Sequence, residues 1–91
     1  YPVTYNNIAL GERMKQSLIE ATNGNFAEIT RRTGAEDFSY FSQEIPGLYI
    51  FLGVNDPGKL EQAGNHSPYF TVNDDALDEG LKSLVYMTID Y

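Results

Sequence analysis

The chain contains a single histidine, His66, in the stretch Gly64-Asn65-His66-Ser67-Pro68-Tyr69-Phe70. An imidazole in such a place can serve as a general acid or base, or as a neutral nitrogen donor to a metal ion. Asn65 and Ser67 make its surroundings polar, and Pro68 stiffens the backbone that presents it. Taken alone, a lone histidine in a small domain is more often a solvated or hydrogen-bonded side chain than a ligand. One histidine cannot hold a zinc ion that wants three or four donors.

A second candidate is Gly34-Ala35-Glu36-Asp37. Adjacent carboxylates in the first turn of a helix can accept hydrogen bonds, bind a cation or act as an acid and base pair. Their commoner role is to stabilise the helix dipole. Gly34 permits a close backbone approach, and the free N–H groups of the next turn could hold an anion or a polarised carbonyl. The two acids oppose a full negative charge there.

Two further groupings have bland readings. Asp74, Asp75, Asp78 and Glu79 lack the glycine-containing spacing of a calcium loop and read as a capped, solvated helix start. Phe38, Tyr40, Phe41, Tyr49 and Phe51 read as core rather than as a ligand cage. The chain has no H-E-x-x-H, no G-x-S-x-G and no P-loop, so it carries no complete catalytic apparatus of those kinds.

The elements that must position these residues follow from pattern. "YPVTYNN" suits an extended leading segment, after which Asn6 or Asn7 can cap a helix. Ile8, Leu10, Met14, Leu18 and Ala21 recur at helical spacing and Asn23-Gly24 supplies a stop, which predicts a helix over residues 7 to 23. A short strand is expected at Glu28 to Arg32. In "GAEDFSYFSQEIPG", Phe38, Phe41 and Ile45 share one helical face and Pro46-Gly47 ends a short second helix. "LYIFLGV" is a continuous apolar run bounded by glycines, the pattern of a strand covered on both faces. Residues 55 to 72 form a long Gly-, Pro- and Asn-rich loop that contains His66. Asn73-Asp74-Asp75 opens a last helix with Leu77, Leu81, Leu84, Val85 and Thr88 on one face.

The order helix, strand, helix, strand, helix predicts an α/β chain with its helices packed on a small mixed or parallel sheet. Length allows one small domain or a piece of a larger one, with a thin core, at 91 residues. With 42% hydrophobic and 21% charged residues the composition is that of a folded protein.

Thirteen Asp and Glu against six Lys and Arg give a formal charge of -7, which repels phosphate backbones and anionic membranes. Neither nucleic acid nor membrane is an expected partner. The chain has no cysteine, so it builds neither a disulfide framework nor a thiolate metal site. That absence fits a reducing compartment, and a cytoplasmic location is expected. The chain starts at Tyr1-Pro2 and stops at Tyr91 inside a helical pattern without a stop signal, so it is expected to be part of something longer.

The ordered set "GAEDFSYFSQEIPGLYIFLG", "HSPYF" and "NDDALDEGLKSLVYMTIDY" resembles the C-terminal part of the metal-dependent amidohydrolases of the aminoacylase and carboxypeptidase superfamily. The nearest group is the one with hippurate hydrolases, N-acetyl-diaminopimelate deacetylases and auxin-conjugate hydrolases. The resemblance covers nearly the whole chain, and "YPVTYNN" is similar to the point where such a chain returns from its lid. It implies a zinc-peptidase-like catalytic domain split in sequence by a lid or dimerisation domain. Residues 1–91 would be the C-terminal segment of that catalytic domain, lacking the lid and the N-terminal catalytic half.

By the same resemblance, His66 is a metal ligand and Gly34, Ala35, Glu36 and Asp37 form a substrate-binding wall. No catalytic residue falls in this segment, because the general base and the other ligands lie before the lid. The implied cofactor is a pair of divalent ions, zinc, manganese or cobalt, not bound by the segment alone. The implied substrate is an N-acyl amino acid or small peptide. The remainder of its own catalytic domain is the implied partner, and the parent is expected to be a homo-oligomer. The segment by itself is expected to be inactive. The competing expectation is a non-enzymatic acidic interaction module that keeps the fold without the metal site.

Overall fold

The computed structural model describes residues 1–29, 35–56 and 62–91. The first helix, α1, runs Ile8–Ala21. It starts where expected because Asn7 has extended backbone angles and its side chain accepts a hydrogen bond from Leu10 N at 2.9 Å. It stops because Asn23 and Gly24 take positive φ values of 52° and 85°. This turns Gly24 N onto Ile19 O at 2.9 Å and Asn23 N onto Glu20 O at 3.4 Å, the paired bonds of a Schellman stop.

The second helix, α2, is Phe38–Glu44, and the third, α3, is Asp75–Asp90. Asn73 opens α3, its side chain accepting from Asp75 N at 3.0 Å and its carbonyl from Ala76 N at 3.0 Å. The aspartate between them, Asp74, makes no side-chain cap bond.

α1 packs on α3. The buried residues are Met14, Ser17, Leu18 and Ala21 on α1, and Ala76 and Ser83 on α3. At the far end of the pair Ser17 Oγ donates to Asp90 Oδ2 at 2.6 Å. The Arg13 guanidinium donates to the Tyr91 carbonyl and lies 4.6 Å from the Tyr91 ring centroid.

The buried residues of α3 are small ones, and Leu77, Leu81 and Leu84, from the face marked by helical spacing, are 56%, 63% and 62% exposed. Small side chains let two helices approach closely, and the leucine stripe on the other flank is left without cover. On α2 the expected apolar face is also open: Phe41 and Ile45 are exposed and Phe38 is half-buried.

The sheet expected from sequence is absent: among the described residues there are three helices and no strand. "LYIFLGV" forms neither helix nor strand: a strand requires a ladder to a neighbour, and hydrophobic patterning supplies only the propensity. The bonds that hold this segment are isolated ones. Asn7 N reaches Gly47 O at 3.0 Å, the Asn6 side chain pairs with Tyr49, and Asn73 N reaches Val54 O at 2.7 Å.

The segment is seated between the helices by two glycines. Gly11 on α1 meets Leu48, and Gly80 on α3 is so close to Leu52 that an added Cβ would lie 2.8 Å from Leu52 Cδ2. The other expected strand, Glu28 to Arg32, is only partly described. Glu28 and Ile29 are unpaired in any ladder, and residues 30–32 lie outside the described residues.

The core is correspondingly thin. The chain exposes 7515 Å², against roughly 5,300 Å² for a self-contained monomer of its mass. Its radius of gyration is 14.3 Å, against about 12 Å for a compact domain of this length. No helix among the described residues is long and apolar enough to cross a membrane.

Candidate functional site

His66 stands in a loop built from two consecutive turns. Ser67 N donates to Gly64 O at 2.9 Å, which encloses Asn65 and His66, and Phe70 N donates to Ser67 O at 3.1 Å. Ser67 Oγ also accepts from Tyr69 N at 3.1 Å. The loop is closed at its base by Gln62, whose side chain accepts from Asp56 N at 2.6 Å and lies 3.5 Å from Thr71 Oγ1. His66 is exposed at the tip, and among the described residues its imidazole has no hydrogen-bond partner. Its chemistry suits a metal donor, an available ring nitrogen on a fixed turn. Among the described residues, however, there is no group of three or more His, Cys, Asp or Glu side chains able to hold a metal ion. These residues do not make a metal centre by themselves.

The acidic pair is built differently. Glu36 is half-buried and both its oxygens are engaged: Oε2 accepts from the Tyr49 hydroxyl at 2.8 Å, and Oε1 lies 3.4 Å from Phe38 N. The Tyr49 bond, then the Asp37 side chain and the Phe38 amide, hold the Glu36 carboxyl below the usual glutamate range. Asp37, exposed beside it, is pushed above its usual range by a hydrogen bond with Glu36 and then by the Glu36 charge. A proton taken up by the pair therefore resides more readily on Asp37. Tyr49 is raised because its proton is held by Glu36.

Tyr49 is restrained from every side. Its N donates to Asn6 Oδ1 at 2.7 Å and its O accepts from Asn6 Nδ2 at 3.0 Å, so one side-chain amide occupies both of its backbone groups. Its ring lies 5.4 Å from Phe38 and 5.7 Å, edge-on, from Phe51. Patterning assigns Tyr49 to the core and leaves Asn6 as one of two candidate helix caps, the other being Asn7. The signal available was the phenol itself: a tyrosine in an otherwise apolar run needs a partner for its hydroxyl.

Of the remaining residues expected at the site, Ala35 is exposed and Gly34 lies outside the described residues. Among the described residues, no hydrogen bond or ion pair joins His66 to Glu36 or Asp37. A cavity of about 880 Å³ has none of the described ones among its lining residues. It opens between α1, residues 25–29, residues 48–53 and the start of α3, with Leu18, Leu48, Ile50 and Leu52 among its apolar walls. The exposed Lys15–Glu28 ion pair, 3.1 Å, ties α1 to the lip of that cavity and contributes little to stability. The acidic cluster at the start of α3 is exposed or half-buried, as a solvated helix start would be.

The comparisons with known proteins bear on the whole chain. The model of peptidase family M20/M25/M40 matches residues 1–90, and the chain belongs to that family. An IAA-amino acid hydrolase, ILR1-like 4, of Arabidopsis thaliana is 34% identical over 92 residues, covering 100% of this chain and 21% of the relative. Thermostable carboxypeptidase 2 of Saccharolobus solfataricus is 34% identical over 91 residues, covering 100% of this chain and 23% of the relative. The chain thus spans about a fifth of the length of the curated relatives it matches. No solved structure matches it. The resemblance read from the motifs is borne out at the level of the family.

Proposed function

We propose that the chain is the C-terminal segment of the catalytic domain of a metal-dependent hydrolase that cleaves the amide bond of N-acyl amino acids or small peptides. The observation that carries this reading is the family match over residues 1–90, with relatives named as a hydrolase of amino-acid conjugates and as a carboxypeptidase. Both names describe release of an amino acid. The surface excess and the open leucine stripe of α3 support a chain whose apolar faces are covered by the remainder of its own catalytic domain.

In this reading His66 supplies one metal bond, its turn holding the imidazole outward, and the other ligands and the general base come from the rest of the parent. Bound divalent ions, zinc, manganese or cobalt, would supply a water of lowered pKa and polarise the scissile carbonyl. Glu36 and Asp37 belong to the wall that receives the substrate. The wall is anionic and suits a hydrogen-bond donor such as the substrate amide N–H.

The test is metal analysis and hydrolysis of an N-acyl amino acid panel by the full-length protein with and without His66→Ala. Loss of about one bound ion per active site and a fall in turnover of more than about a hundredfold are expected, since even outer partners of a metal ligand are worth about 10- to 100-fold. Unchanged metal content and turnover would remove His66 from the site.

A further inference from the structure

The pair Glu36 and Asp37 does not orient itself: the Glu36 carboxylate is reached by a hydroxyl from a segment thirteen residues away. We infer that Tyr49 is a positioning residue, which sets the Glu36 carboxylate in the substrate-binding wall through its hydroxyl. The inference rests on the reading of Glu36 and Asp37 as part of that wall.

The geometry is that of a post rather than a chance contact. A phenol positions an acceptor only if the phenol is itself fixed, and Tyr49 is fixed at both ends. Asn6 occupies both of its backbone groups at 2.7 and 3.0 Å, and Phe38 and Phe51 flank its ring. Phe38 is also the residue whose N–H faces the other Glu36 oxygen. Phe38 therefore touches both the post and the group it holds. With both oxygens engaged, the carboxylate has little rotational freedom left about its last torsion. The titratable groups bonded to Glu36 are Tyr49 and Asp37, and the hydroxyl is the larger influence in keeping Glu36 ionised.

A positioning role separates from a purely structural one in steady-state kinetics. Tyr49→Phe keeps the ring and its packing and removes only the donor. In the full-length protein, acting on the N-acyl amino acid it turns over fastest, this variant should raise KM roughly three- to tenfold, the scale of one hydrogen bond to a charged group. It should change kcat by less than about twofold and leave metal content unaltered. In a Glu36→Ala background, where the acceptor is gone, Tyr49→Phe should have no further effect.

A second measurement does not depend on turnover. Carboxyl ¹³C NMR titration of the full-length protein should show the Glu36 midpoint moving upward in Tyr49→Phe. Equal losses from Tyr49→Phe in the presence and absence of Glu36, or an unmoved Glu36 midpoint, would overturn the inference while leaving the wall reading intact. A Glu36→Ala variant with wild-type KM and kcat would sink the wall reading itself, and this inference with it.

Discussion

The α1–α3 pair and the His66 loop are held by different kinds of force. Between the helices, Met14, Leu18 and Ala21 are buried against a small-residue face, and Ser17 and Arg13 fasten the far end to Asp90 and Tyr91. In the loop, the bonds run almost entirely between near neighbours: Ser67 to Gly64, Phe70 to Ser67, and Gln62 across the base. Burial of apolar surface stabilises the first region and local turn geometry shapes the second. The region that gives the chain its stability therefore contains none of the candidate chemistry. The candidate ligand sits where substitution costs the fold least.

The sharpest way to break this comparison is to open the helix pair. Leu18→Ala removes a nearly fully buried side chain at the centre of the contact and should cost about 2 to 4 kcal/mol in denaturant unfolding. For a core this thin that approaches the whole stability of a small domain. A loss below about 1 kcal/mol would mean that the α1–α3 contact is not the core. Ser17→Ala comes next. It leaves Asp90 without the hydroxyl that donates to it at 2.6 Å, and a loss of about 1 to 2 kcal/mol is expected, read as a lower urea midpoint at unchanged slope.

In the loop, Gln62→Ala should change global stability by less than about 0.5 kcal/mol. Its effect should appear locally, as faster amide hydrogen exchange at Ser67 and Phe70 while the amides of α1 keep their protection. Equal acceleration in both regions would show that the loop and the helices open together.

The sequence carried the helices further than the layers. Helix starts and stops are written in residues that act locally: the Asn7 cap, the Asn23-Gly24 stop and the Asn73 turn each satisfy backbone groups within a few residues. Neither the sheet nor the exposure of the leucine stripe could be read that way. Whether "LYIFLGV" joins a ladder depends on a neighbouring strand, and whether Leu77, Leu81 and Leu84 are buried depends on which face of α3 meets α1. That face carries the buried Ala76 and Ser83, whose small size is a weak signal in a hydrophobicity pattern. The loop that carries His66 was legible in its Gly, Pro and Asn content, but the two turns that shape it were not. The Tyr49–Glu36 bond escaped because it joins two segments that patterning treats separately.

The smallest expected effect on stability belongs to the residue with the largest expected effect on chemistry. His66 is exposed and its imidazole has no hydrogen-bond partner among the described residues, so His66→Ala removes neither a buried contact nor a capping interaction there. The turn around it is carried by backbone bonds and by Ser67, which the substitution leaves in place. Its unfolding midpoint should therefore match wild type within about 0.5 kcal/mol, measured in metal-free buffer to remove any stabilisation by bound ions. A retained fold with lost metal binding in the full-length protein would separate the two regions as cleanly as their structures do. A loss above about 1 kcal/mol in the metal-free chain would instead assign His66 a place in the packing, and the contrast between a load-carrying helix pair and a ligand-carrying loop would fail.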